Sequence, residues 1–385
     1  MRGICYAAAA APSEAVVLPA YAAAAADKAA FLEMFRLFSD NQDPVTARPL
    51  AQQSDNRWLV HQPPMAALET AELDRVYALP YTLDVHPHDA DGGAVRALDT
   101  VRFAITTHRG CYGACAFCAI AAHQGLRITS RSADSILAEA VRFTHHPRFK
   151  GIISDVGGPT ANMYGFDCAC KVRTGACTNR RCLFPEVCRN LPVTHQQQTD
   201  LLRRLRAIPG VRKAFVASGI RHDLVLADTR HGAAYLDELA AHHVSGQLKL
   251  APEHSEKAVL DLMGKPGIES LLAFRSRFED ASARHGLKQF LTYYFIAAHP
   301  GCTEGQMRAL KAFATQHLRL APEQVQVFTP TPSTWSTAMY WTERDPASGA
   351  ALFVEKGLRG KQVQKDIVTE GTHEVPAMFH GRERR

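Results

Sequence analysis

Three of the chain's ten cysteines fall in one short stretch, Arg109-Gly110-Cys111-Tyr112-Gly113-Ala114-Cys115-Ala116-Phe117-Cys118. Thiolates in a Cys-x3-Cys-x2-Cys loop can bind three corners of a cubane 4Fe-4S cluster and leave the fourth iron open to a small ligand. Gly110 and Gly113 let the backbone curl around the inorganic core, and Phe117 beside Cys118 can shield it from water. A zinc loop with its fourth ligand elsewhere, or three core cysteines, are the alternative readings of Cys111, Cys115 and Cys118. The β-prone run before them and the strand–helix pattern after them favour the cluster.

Five more thiols follow at Cys168, Cys170, Cys177, Cys182 and Cys188, in a segment with little apolar content. Thiols this close in sequence suggest a metal staple for an insert without its own core, either an auxiliary Fe-S cluster or zinc. The spacing does not choose between them, and unliganded cysteines remain the plain alternative. His145-His146 and His242-His243 follow helical runs, where cationic side chains suit a helix C-terminus. His254 and His299 lie at strand ends and are candidate proton-handling groups.

The elements that must position these residues are legible beyond Thr100. Short β-prone runs at 101–106, 151–156, 213–217, 247–250, 289–296 and 324–328 alternate with helical ones at 133–143, 198–207, 233–242, 255–263, 271–285 and 304–317. Six strands alternating with helices imply parallel βα units in a partial or complete (β/α) barrel, an α/β fold. The site of such a barrel lies at the C-terminal ends of its strands, where the two cysteine groups, His254 and His299 fall. Upstream, a helix at 27–38 and a Pro-containing polar segment predict surface-wrapping structure without a compact core of its own. The run from His86 reads as a linker. We therefore divide the chain into an N-terminal extension (1–95), a core (96–365) with a Cys-rich insert (161–195), and a polar tail (366–385). A helix is expected near 354–367.

The cluster loop resembles that of the radical S-adenosylmethionine superfamily, in which the open iron chelates the amino and carboxylate groups of the methionine moiety. One electron passed to the sulfonium then releases a 5′-deoxyadenosyl radical. By this resemblance Gly157 and Gly158, after the second strand, form the superfamily's glycine motif, although Pro159 and Thr160 stand where an acidic residue is usual; an ordinary tight turn is the alternative. Ser218 ends the third strand. Lys249 and Glu253 could meet the ligand's carboxylate and ribose, or form a surface salt bridge. Ile296 on the fifth strand would suit an adenine face.

Together, Thr107-His108-Arg109-Gly110-Cys111, His123-Gln124-Gly125, Ser130-Arg131-Ser132, Asp155 through Asn162, Cys182-Leu183-Phe184-Pro185, His243-Val244-Ser245-Gly246-Gln247, Met263-Gly264-Lys265-Pro266 and Gln324-Val325-Gln326 resemble the YgiQ-like, UPF0313-type branch of that superfamily. The resemblance implies an enzyme that reductively cleaves S-adenosylmethionine at a 4Fe-4S cluster, draws electrons from a reducing protein such as a flavodoxin or ferredoxin, and acts on a substrate the branch leaves undefined. It also leads us to expect further chain upstream, like a cobalamin-binding α/β domain, most of which this sequence lacks. Cobalamin is therefore not carried over to it.

Composition sets the outer bounds. Of 385 residues, 46% are hydrophobic and 21% charged, as in folded globular proteins. The net charge of +6 is scattered, which permits an anionic substrate without arguing for one. The apolar stretch at 22–26 is too short for a membrane span or signal peptide, so a cytoplasmic location and reduced thiols are expected. No aromatic-interleaved basic stretch indicates nucleic acid. Two rival readings stay open: a non-catalytic Fe-S or zinc protein that keeps the fold, and a radical enzyme that modifies nucleic acid along a basic groove.

Overall fold

The computed structural model describes residues 1–178 and 180–370; most of the expected polar tail, 371–385, lies outside the described residues. The chain opens with a small sheet of β1 (Cys5–Ala8), β2 (Val16–Leu18), β3 (Leu50–Ser54) and β4 (Arg57–His61), in the spatial order β1-β4-β3-β2. β3 and β4 form an antiparallel hairpin turned at Asp55, whose φ is 51°. Ala15, Ala51 and Val60 are buried beneath it. This corrects the expectation of a coreless extension: β3 reads Leu-Ala-Gln-Gln-Ser, half polar, and its pairing rather than its hydrophobicity makes it a strand.

The helix Lys28–Asp40 then covers the sheet, capped by Asp27, whose carboxylate accepts from Ala30 N at 2.8 Å. Phe35 on its inner face meets the edge of Trp335 at 4.9 Å between ring centroids. Lys28 reaches Glu343 at 2.6 Å. The N-terminal segment is thereby docked on the helix Trp335–Thr342 near the chain's other end.

The barrel is built from β5 (Ala104–Thr106), β8 (Ile152–Ile153), β9 (Asp155–Gly157), β10 (Lys213–Ala214), β11 (Gln247–Glu253), β12 (Phe290–Ala297) and β13 (Val325–Val327), with β6 (His108–Arg109) and β7 (Thr129–Ser130) as a two-stranded flap. β5 pairs with β9, β8 with β10, and β11 with β12 and β12 with β13, all parallel. A bridge from Ile220 to Leu250 joins the β10 segment to β11. Among the described residues no pairing joins β13 to β5, so the barrel is partial.

Side chains alternate across it. Tyr293, Phe295 and Ala297 of β12 and Leu248 and Leu250 of β11 are buried under the helices, whereas Lys249 and Ile296 point to the opposite, inner face and are half-buried. The covering helices bring apolar stripes at helical spacing, such as Ile136, Ala140 and Phe143, or Leu271, Phe274, Phe278 and Ala281.

Three sequence expectations are corrected. Residues 96–101 form a helical turn, Arg96–Val101, and the first strand begins only at Ala104. The 151–156 run is split at Ser154, whose N–H leaves the ladder for Phe103 O at 3.0 Å. The last helix is Leu358–Thr369, so the expected boundary at 366 falls inside it. Gln364 of that helix accepts from Ala298 N and donates to Cys302 O, which ties the helix to the end of β12.

Candidate functional site

The flap carries the chain from β5 into the three-thiol loop. Gly110 sits at φ +89°, and a Cβ there would stand 1.9 Å from Arg127 O, so only glycine fits. Gly113 lies between two thiols: a Cβ would stand 3.3 Å from Cys111 Sγ and 3.4 Å from Cys115 Sγ, and its N–H donates to Cys111 Sγ at 3.3 Å. Ala116 fastens the loop to the barrel, donating to Met263 O and accepting from Ser336 N, both at 2.8 Å.

All three thiols are free and half-buried. Burial pushes Cys111 up and Cys118 up to about 11, so metal-free they are neutral, and binding must displace their protons. Among the described residues no three His, Cys, Asp or Glu side chains converge on one metal ion. Cubane thiolates each hold a different iron and need not converge. The donor set and the side-chain-free cradle at Gly113 fit a three-thiolate cluster.

Behind the loop lies a buried polar chain that sequence reasoning missed. Asp223 grips Arg221 through both oxygens, leaving Arg221 Nη1 3.9 Å from Cys115 Sγ. Arg221 N donates to Asn162 Oδ1, and Asn162 Nδ2 donates to Arg221 O and to His195 Nε2. His195 Nδ1–H in turn donates to Asp228 at 2.9 Å. The Arg221 guanidinium holds the Asp223 carboxyl down at about 2 despite its burial, so the pair stays ionised. Asn162 closes the 155–162 motif, but no spacing in the sequence links it to His195, Arg221 and Asp228.

The proposed nucleoside residues divide. Gly157 abuts Ser218, whose Cβ would lie 3.3 Å from a Cβ at Gly157. Ser218 Oγ and N both donate to Asp155. Gly158 packs on the His108 imidazole, so its bareness serves a protein neighbour, and a Cβ would stand 2.6 Å from His108 Cε1. Glu253, at φ +69°, lies 3.7 Å from Lys265 in a pair that is buried rather than on the surface. Burial pushes its carboxyl up. Lys249 and Ile296 share the inner face of the barrel, and Lys249 has no side-chain partner among the described residues.

His254 and His299, the candidate proton-handling groups at strand ends, are fully buried. His254 Nδ1 accepts from Glu256 N, while His299 Nδ1–H donates to Pro300 O and its Nε2 accepts from Ser336 Oγ at 2.7 Å. Burial lowers them to about 3 and about 4, so both are neutral struts.

The insert splits the second thiol group. Cys168, Cys182 and Cys188 pack into one apolar cluster with Tyr112, Phe166, Leu183 and Leu191, whereas Cys170 and Cys177 are exposed. Lys171, buried on the Tyr112 ring, donates to Cys182 Sγ at 3.0 Å and to Leu126 O at 2.8 Å. A cavity of about 1300 Å³ runs from Cys115 and Cys118 to Cys177, Cys182 and Cys188. It is large enough for a nucleoside and a second small molecule.

A partial (β/α) barrel with a three-thiol loop after its first strand is the α/β architecture expected of a radical S-adenosylmethionine fold. Residues 1–104 match the family model described as radical SAM N-terminal. The chain is 50% identical over 370 residues to a UPF0313 protein of Fusobacterium nucleatum, covering 96% of this chain and 65% of that one. With UPF0313 proteins of Geobacter sulfurreducens and Methanosarcina mazei it shares 47% and 44%, covering 94% and 92% of this chain but 58% and 56% of theirs. The chain is thus similar to UPF0313 proteins over nearly all of its own length and spans 56–65% of theirs. Among solved structures, the radical S-adenosylmethionine methyltransferase TsrM of Kitasatospora setae, with cobalamin and a 4Fe-4S cluster bound, gives a TM-score of 0.40 at 15% identity. That match covers 61% of this chain and 38% of that one. So slight a likeness transfers no residue role and no cofactor.

Proposed function

We propose that the protein is a radical S-adenosylmethionine enzyme whose 4Fe-4S cluster is held by Cys111, Cys115 and Cys118. The observation that carries this is the glycine cradle between free thiols at the head of a large cavity, in a loop anchored at both faces of Ala116. A bound cluster would supply one electron to the sulfonium of S-adenosylmethionine, whose cleavage gives methionine and the 5′-deoxyadenosyl radical that abstracts hydrogen from substrate.

The chain's own part is positioning. The Gly113 N–H donates to the Cys111 sulfur, and Arg221, locked by Asp223, keeps a fixed positive charge beside Cys115. Lys249 and Ile296, on the inner face of the barrel, and Glu253, at the end of β11, are the proposed contacts for the nucleoside ligand; Gly157, Gly158 and Ser218 shape the turn beside them. The burial of Tyr112 and Ala116 supports exclusion of water around the loop.

The reading extends to an auxiliary Fe-S cluster or zinc in the insert, supported by the common packing of Cys168, Cys182 and Cys188. It also includes a flavodoxin- or ferredoxin-like electron donor and a cytoplasmic location. Among the described residues no helix is long and apolar enough to cross a membrane.

Anaerobic reconstitution tests it. The reduced protein should show a 4Fe-4S resonance that changes on addition of S-adenosylmethionine, followed by release of 5′-deoxyadenosine, and Cys115→Ala should lose both. A resonance indifferent to S-adenosylmethionine, with no nucleoside released, would leave a non-catalytic Fe-S protein.

A further inference from the structure

We infer that the substrate of this proposed radical reaction is a small anion, bearing a carboxylate or phosphate, and that Arg181 is its recognition group. The inference rests on the cavity next to the three-thiol loop, whose insert side carries the half-buried Arg181 between the exposed Arg180 and Arg189. Arginines buried elsewhere are neutralised: Arg131 by Glu139, Arg221 by Asp223, Arg102 by Asp84. None of the three cavity arginines has a carboxylate partner among the described residues. Arg180 only approaches Cys188 Sγ, at 3.7 Å.

The acidic residues along the same cavity do not fill that role. Asp261 is paired with Lys257 at 2.6 Å. Asp43 accepts the N–H groups of Val45 and Ala176, and Asp345 those of Ala347 and Ser348. Asp40 and Glu186 are exposed and bond none of the arginines.

Arg181 is also built in. Its Nη1 occupies the space over Gly264, where a Cβ would stand 2.0 Å away, and its guanidinium lies 5.8 Å from the Phe184 ring centroid. Gly264 takes the left-handed φ of +69° that ends the helix Lys257–Met263, and Met263 O is the acceptor that anchors Ala116 of the cluster loop. The Met263-Gly264-Lys265-Pro266 motif thus holds a half-buried, unneutralised guanidinium beside the thiol loop. A planar fork of donors in such a place takes a planar or tetrahedral oxyanion in preference to any neutral group. Arg180 and Arg189, exposed along the same cavity, add positive charge on the approach to Arg181.

The test uses the reconstituted holoprotein and two separate titrations: inorganic phosphate and succinate by calorimetry, and S-adenosylmethionine by the resonance of the reduced cluster. Arg181→Gln should weaken both anions by about tenfold, the loss of a charge-assisted hydrogen-bonded pair. Arg181→Lys, which keeps the charge but loses the fork, should recover only part of the loss, and S-adenosylmethionine affinity should shift less than about twofold in either variant. Anion affinities that are absent in the wild type or unmoved by Arg181→Gln would overturn the inference. So would a parallel loss of S-adenosylmethionine affinity, which would assign Arg181 to the nucleoside's own carboxylate. A wild type blind to S-adenosylmethionine would sink the radical reading while the anion titrations still reported on Arg181.

Discussion

Gly158 illustrates how a residue's type can be right for a reason other than the expected one. The sequence reads it as a point where backbone approaches a ligand, and the structure places the His108 ring against it, three residues ahead of Cys111. Gly158→Val therefore pushes first on His108 and through it on the cluster loop. Overpacking of this kind costs about 1–3 kcal/mol. We expect Gly158→Val to lower both the iron bound per chain on reconstitution and the affinity for S-adenosylmethionine, with Gly158→Ala milder in each. Full iron content with weakened nucleoside binding would mean that His108 swings aside and that Gly158 meets the ligand directly.

At the scale of elements, the insert between β9 and β10 owes its order to two devices. An apolar plug of Phe166, Leu183 and Leu191 sits beside Tyr112, and Lys171 spans Leu126 and Cys182. Its thiols should differ accordingly. In the folded, metal-free protein Cys170 and Cys177 are expected to alkylate first and Cys168 last, read by mass spectrometry of the labelled peptides. The same insert tests the auxiliary site. A Cys111, Cys115 and Cys118 triple-Ala variant should retain about one zinc or one further cluster per chain, and lose it on additional Cys182→Ala. If the triple variant is metal-free, packing alone holds the insert.

The molecule as a whole carries an acid sensitivity that follows from its buried histidines. Burial holds His108, His222 and His299 down at about 4 and His254 at about 3. The unfolded chain, with ordinary imidazoles near 6.5, takes up these protons first. Each depressed group therefore contributes stability that is fully present above pH 6.5 and is lost as pH falls towards 4, at up to ~1.4 kcal/mol per pH unit. Urea unfolding midpoints of the metal-free protein should fall steeply from pH 6.5 to 4.5 and stay nearly level from 6.5 to 8. A flat profile through pH 5 would show these rings to be protonated or solvated in the folded state.

What the sequence determined alone was contiguous or periodic. The three thiols proposed to hold the cluster lie within one loop, and strand and helix runs alternate with recognisable apolar spacing, so the α/β barrel and its first loop could be read along the chain. The short strands 5–8, Cys-Tyr-Ala-Ala, and 50–54, Leu-Ala-Gln-Gln-Ser, escaped because alanine-containing or half-polar segments become strands only when a partner completes their hydrogen bonds. Tertiary structure alone decided the chain from Arg221 through Asn162 and His195 to Asp228, the division of the insert's thiols into packed and exposed, and the seat of Arg181 over Gly264. Each of these joins residues separated by tens of positions, and such contacts leave no period in the sequence. They arise only when folding brings unlike segments together and every buried charge must find, or lack, its partner.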